Sequence, residues 1–143
     1  MPSITGSFSG TITKQSALPV ADKENHEMSI AEVGGTQKSA DSLWDGSAVT
    51  YWAVTDVQGG KGTQRGYYNN VHGKKGRDWG TFEGKVTVLG GKMAVEGTYK
   101  IAGGEGEYRG LTGSGKFKTV MKSDTDIECS WEGKYTLAKA HAR

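Results

Sequence analysis

Along this chain an aromatic ring repeatedly stands two residues from a glycine, and that spacing favours one architecture above others. The pattern reads Gly6-Ser-Phe8-Ser-Gly10, Gly80-Thr-Phe82-Glu-Gly84, Gly97-Thr-Tyr99, Gly115-Lys-Phe117 and Gly133-Lys-Tyr135. Residues two apart share one face of a β-strand. Each ring therefore lies on the same face as its glycine and can cover a neighbouring glycine. The missing side chain lets the strand coil sharply, which a sheet needs in order to close into a barrel. The chain has 23 glycines and two prolines, and both prolines precede residue 20. The rest is free to pair.

No window carries a 3.6-residue apolar period, whereas period-two alternation recurs. Strands are predicted near 3–14, 25–34, 47–57, 62–72, 79–89, 91–101, 113–122 and 126–137. Short breaks rich in glycine separate most of them, at Gly59-Gly60, Gly73 to Gly76, Gly90-Gly91 and Gly103-Gly104; Ser123-Asp124-Thr125 serves the last pair. Links this short join antiparallel neighbours, because a parallel crossover needs about a dozen residues or more. Segment 35–46, carrying Trp44 and Asp45, reads as a longer loop, and 104–112 as the place for one helical turn. The expectation is an all-β domain over residues 1–143, a closed or nearly closed antiparallel barrel of about eight strands with a frayed tail at 138–143.

Charge and cysteine content narrow the function classes. A net charge of +2 from interspersed residues gives no reason to expect nucleic acid or an anionic membrane. Lys74, Lys75 and Arg77 read as a solvated turn. The single cysteine, Cys129, excludes an intramolecular disulfide framework. The N-terminus has neither the basic start nor the apolar run of a signal peptide. The longest apolar stretches are about four residues, against roughly 20 for a spanning helix. A cytoplasmic protein is expected.

Alternation also assigns faces. Ile4, Phe8 and Ile12 fall on one side, as do Met28 with Ile30, Val49 with Tyr51, Phe82 with Val86, Val95 with Tyr99, and Cys129 with Trp131. These sets are expected to point inward, around a lumen that side chains fill or that holds one small ligand. Strand 62–72 has no apolar face. Of its two polar sets, Arg65, Tyr67 and Asn69 are taken as the lining set, an assignment that a bulge at Gly66 would invert.

The stretch Gly104-Glu-Gly106-Glu-Tyr108-Arg-Gly110-Leu-Thr-Gly113-Ser-Gly115 resembles the hallmark turn of allene oxide cyclase-like barrels, roughly Gly-x-Gly-x-Tyr-x-Gly-x-x-Gly. Gly80-Thr-Phe-Glu-Gly84 and Trp131-Glu-Gly-Lys-Tyr135 are also similar to the later strands of that superfamily and of related bacterial barrels. The resemblance covers about residues 60–137. It implies an eight-stranded barrel with an apolar cavity, no cofactor, and a homo-oligomer, dimer or trimer. Relatives use such cavities to fold reactive intermediates for cyclisation. None of the plant cyclases' active-site residues can be matched to a position here.

Several side chains could carry chemistry, and each has a structural reading beside it. His26 shares parity with Met28 and Ile30; it is a structural rim histidine or a general acid or base. Glu32 is a solvated strand-end residue, or a lumen carboxylate whose pKa burial would raise. Tyr51 and Tyr99 either pack or orient a substrate oxygen. Arg65 would bind a carboxylate or enolate oxygen. Met28, Tyr67, Asn69, Phe82, Phe117, Cys129 and Trp131 are the expected substrate-contacting set. Trp79 could add a second aromatic wall, and Cys129 reads as a small apolar residue before a nucleophile. Gly110 to Lys116 approaches a phosphate loop but is followed by Phe117 and a strand, so it reads as a barrel turn. The three histidines are not spaced as a metal set, and none is expected.

The leading expectation is thus a cofactor-independent isomerase, cyclase or lyase acting on a small, largely apolar molecule held in the barrel. The alternative is a calycin-like carrier that binds without converting. A third possibility is an interaction domain with a filled core, which a cavity below ~300 Å³ would favour.

Overall fold

The structure is a computed structural model and describes residues 3–137. The expected frayed tail at 138–143 lies outside the described residues. Eight strands follow one another: β1 (Ser3–Pro19), β2 (His26–Ser39), β3 (Ala48–Gln58), β4 (Lys61–Val71), β5 (Gly76–Leu89), β6 (Lys92–Gly106), β7 (Leu111–Met121) and β8 (Asp126–Leu137). Each is hydrogen-bonded antiparallel to the next, and β8 returns to β1 to close the barrel. One 3-10 turn, Gly73–Lys75, links β4 to β5. The stretch after β6 is a plain turn, not the helical turn expected there. No helix among these residues is long and apolar enough to cross a membrane.

Closure rests on the glycine and ring pairs, with one refinement. The glycine a ring covers lies directly across on the neighbouring strand. Phe82 opposes Gly66, Tyr68 opposes Gly80, Trp131 opposes Gly6, and Phe117 opposes Gly97. A Cβ built on Gly66 would stand 2.9 Å from the Phe82 ring, so only glycine leaves room for it.

The interior splits into two apolar clusters. One occupies the middle of the barrel around Phe8, Val33, Val49, Tyr51, Ile127 and Cys129. The other closes one end around Ile4, Trp44, Ile101, Tyr108, Leu111 and Tyr135. Trp44 comes from the loop between β2 and β3 and is inserted as a plug, 2% exposed. Asp41 shapes that loop: its carboxylate accepts from the Leu43 N–H at 2.9 Å and from the Tyr135 hydroxyl at 3.0 Å. The Tyr108 hydroxyl donates to the Leu43 carbonyl and pins the loop from the opposite wall.

Expected faces hold on six strands and fail on two. β2 continues to Ser39, where a loop was expected, and its inward set is Val33, Gly35 and Gln37. Met28 and Ile30 point outward, 43% and 53% exposed, and His26 and Glu32 go with them. On β4 the order is also reversed. Gln64, Gly66, Tyr68 and Asn70 face inward, while Arg65, Tyr67 and Asn69 face solvent. No bulge causes this, since β4 pairs with β3 and β5 in unbroken register.

Candidate functional site

Beneath the Trp44 plug, one wall of the lumen is polar although it is buried. Gln37 from β2, Asn70 from β4 and Asp78 from β5 stand side by side there, with exposures of 4%, 4% and 1%. Their hydrogen bonds run one way. The Trp131 indole N–H donates to Gln37 Oε1 at 2.9 Å, Gln37 Nε2 to Asn70 Oδ1 at 3.1 Å, and Asn70 Nδ2 to Asp78 Oδ2 at 3.4 Å. From the other side, Ser47 Oγ is hydrogen-bonded to His72 Nδ1 at 2.5 Å, and His72 Nε2 donates to the Asp78 carboxylate at Oδ1. Two hydrogen-bonded chains thus converge on one carboxylate. Burying a carboxylate is tolerable only when it is paired and hydrogen-bonded in this manner. His72 is held in place by stacking on Tyr108, with ring centroids 3.8 Å apart.

The rest of the wall is aromatic and apolar, with Tyr51, Phe82 and Phe117 meeting edge to face. A second polar pair, Gln64 Nε2 donating to Thr55 Oγ1 at 2.9 Å, is satisfied within itself. Tyr99 is not: its hydroxyl is buried and has no hydrogen-bond partner among the described residues. Burial pushes the Tyr51, Tyr68 and Tyr99 hydroxyls well above their ordinary pKa of 10, and the Asp78 charge adds to this for Tyr68 and Tyr99. All three remain O–H donors. Burial likewise pushes the Cys129 thiol up to about 11, so it stays protonated and a poor nucleophile.

The free space between these groups is about 80 Å³. Ordinary ligand pockets run from roughly 300 to 1,000 Å³. That lies below the ~300 Å³ under which a filled-core interaction domain is favoured, and it leaves room for a few waters or a guest of a few heavy atoms.

Of the expected site residues, Tyr51, Tyr99, Phe82, Phe117, Cys129 and Trp131 all line this space. The expected inward placement of His26, Met28, Glu32, Arg65, Tyr67 and Asn69 is corrected: all six lie on the outer surface. Glu32 accepts from the Trp52 indole at 2.8 Å and from Thr13 at 2.8 Å. Those bonds, Trp52 first, hold its pKa below the usual carboxylate value, the opposite of the rise expected in a lumen. Trp79 also lies outside, under the Arg77 guanidinium at 4.6 Å. Arg65 and Tyr67 have no placement that would let them meet a lumen ligand.

His26 has a structural role. Its Nδ1 faces Asp22 at 2.5 Å and its Nε2 faces Asp56 at 2.6 Å, which clasps the β1–β2 turn to β3. Hydrogen bonds to Asp22 and then Asp56 raise its pKa above the ordinary 6.5. A raised pKa means the folded state binds the proton more tightly than the unfolded chain does. The stabilisation is full below about pH 6.5 and disappears as pH rises through the folded value. We expect the thermal midpoint advantage of the native chain over His26→Gln to shrink across that interval. An advantage that grows with pH refutes the clasp; an NMR titration of the His26 ring supplies the folded value.

The groups that sequence reasoning missed are Asp78, His72, Asn70, Gln37, Ser47, Trp44 and Tyr108. Tyr108 had a signal, an aromatic bracketed by Gly106 and Gly110, both at positive φ (69° and 81°). Two of its neighbours also had one, since Asn70 and His72 share the parity of Gly66. Nothing local distinguishes Asp78 from a surface aspartate. Among the described residues, no three His, Cys, Asp or Glu side chains cluster as metal ligands would. No protein-family model and no curated protein matches this chain.

Proposed function

We propose that the lumen binds a compact, largely apolar molecule carrying one hydrogen-bond acceptor, which accepts a hydrogen bond from the Tyr99 hydroxyl. The orphaned Tyr99 O–H carries this reading. A buried donor left unpaired costs about 1–3 kcal/mol, and a guest that accepts from it recovers that energy. The aromatic lining supplies the apolar contact, and the small free volume restricts the guest to a few heavy atoms. A cytoplasmic location suits the reading, because a lone buried thiol needs no oxidising compartment. Kinship with allene oxide cyclase-like barrels is part of the same proposal. The closed eight-strand cylinder and the place of Tyr108, at the centre of the Gly104–Gly115 turn and of the end cluster, support it.

The test compares cyclopentanone with cyclopentane, which differ in the acceptor. The ketone is expected to bind with Kd on the order of 1 mM, by shifts of the lumen ring protons in NMR. Tyr99→Phe is expected to bring its affinity down to that of the hydrocarbon. If neither molecule enters the folded protein, the lumen is simply a filled core.

A second reading, a cofactor-free isomerase, cyclase or lyase, is favoured by the convergence on Asp78. A carboxylate at the lumen wall, backed by His72 and Ser47, is placed to take a proton from a bound molecule. Hydrogen–deuterium exchange at the carbons beside the ketone would then run faster than in buffer, and Asp78→Asn would abolish the excess. Exchange at the buffer rate leaves binding alone.

A further inference from the structure

The barrel is closed, yet one stretch of strand edge is left unpaired by the described residues. β1 pairs with β8 only as far as Thr11 opposite Asp126, with one more bond from the Ile12 N–H to the Thr125 carbonyl at 2.7 Å. A register shift between Ile12 and Lys14 follows, and beyond it Lys14 to Pro19 pairs with β2 alone. All of residues 13–19 are exposed. The direction of their main-chain groups can be worked out. The Val20 N–H donates to the His26 carbonyl at 2.9 Å at the end of this ladder. Hydrogen-bonded pairs alternate in an antiparallel ladder, so Leu18, Ser16 and Lys14 also turn their N–H and C=O toward β2. Gln15 and Ala17 turn theirs to the open side. Pro19 has no N–H to leave unpaired.

We infer that this edge is the contact surface for a second copy of the same chain, with the two β1 arms paired antiparallel about a twofold axis through Ser16. The register selects the partner. With Ser16 opposite Ser16 of the partner subunit, Gln15 opposes the partner's Ala17 and Ala17 the partner's Gln15. Each pair exchanges two main-chain hydrogen bonds, so every open donor and acceptor of Gln15 and Ala17 is used. The contact is self-complementary and closes at two copies. Lys14 and Pro19 bound the window, as charge and proline do on natural strand edges, and so keep the pairing from spreading. On the outer face each arm carries an exposed apolar strip beside the seam: Leu18, 69% exposed, stands opposite Met28 of its own chain and beside Ile30. The pairing involves no lumen residue and stands whether or not the barrel binds a guest.

Ser16→Cys is the direct test. Its side chains would meet across the axis at the roughly 4.5–5.5 Å of directly opposed residues. The full chain is expected to form a disulfide dimer at least about tenfold faster than Ser114→Cys, an exposed β7 control, because pairing raises the effective concentration. Ala17→Pro removes the open-side donor and leaves the β2 ladder intact. It is expected to make the chain monomeric by sedimentation with an unchanged circular dichroism spectrum. Equal cross-linking of the two cysteine variants overturns the proposal. So does a dimer of Ala17→Pro in which the Gln15 amide still exchanges freely with solvent. Protection of the Gln15 and Ala17 amides only when an unrelated extended peptide is added would assign the edge to a foreign strand, and overturns the pairing of two copies.

Discussion

Asp78→Ala is expected to destabilise the barrel by about 2–6 kcal/mol, because removing the buried carboxylate leaves two donors unpaired at about 1–3 kcal/mol each. Against a total of roughly 5–15 kcal/mol for a domain, that is a large share. The loss has two parts. His72 is left with its Nε2–H pointing at the space the carboxylate filled, at 1% side-chain exposure. Asn70 also loses its acceptor, and with it the end of the chain that begins at the Trp131 indole. Asp78→Asn keeps the volume and one acceptor oxygen but turns an NH₂ toward donors, so it should fall between alanine and the native chain. Urea unfolding of the three proteins checks this order, with an unchanged slope showing that the folded state stays compact. A loss below about 1 kcal/mol for alanine would mean that the donors do not depend on Asp78.

The fold was legible because its cause is local and repeated. A ring two residues from a glycine recurs along the chain, and each instance places one more inward side chain and one more bend. The faces of β3, β5, β6, β7 and β8 follow from the same alternation. β2 misled because its visible apolar residues, Met28 and Ile30, lie where the strand runs alongside the projecting β1 arm. Its true inner set includes Gly35 and Gln37, which do not look like core. The ladder with β3 fixes the matter, since Val33 opposes Tyr51 and Gly35 opposes Val49. On β4 the glycine positions point the opposite way from the polar set Arg65, Tyr67 and Asn69. Gly62 and Gly66 mark the inner face there as glycines do on the other strands, and they take Tyr68, Asn70 and His72 with them. The polar wall was legible only in part. Gln37, Ser47, Asn70, His72 and Asp78 come from three strands and two loops, and only closure of the sheet brings them together.

Trp44→Ala is expected to cost about 3–5 kcal/mol, in the range for deleting a large buried aromatic, and to lower the melting temperature by about 10–15 °C. A loop residue would ordinarily predict almost nothing, since substitutions on exposed loops fall within about 0.5 kcal/mol. The difference lies in what Trp44 touches. Its ring meets Tyr135 edge-on at 4.9 Å, and Tyr108, His72 and Trp131 at 6.1, 6.2 and 6.5 Å. It therefore stoppers the barrel end and also buttresses His72, which feeds the hydrogen bond to Asp78. Its removal opens a path from solvent to a network that depends on being dry. Trp44→Phe retains a ring and should recover much of the loss. If Trp44 and Asp78 act through that shared network, the double alanine variant will lose less than the sum of the two singles, because the second substitution acts on a network already wetted. Strict additivity would mean that the plug stabilises the barrel by its own burial and leaves the polar wall untouched.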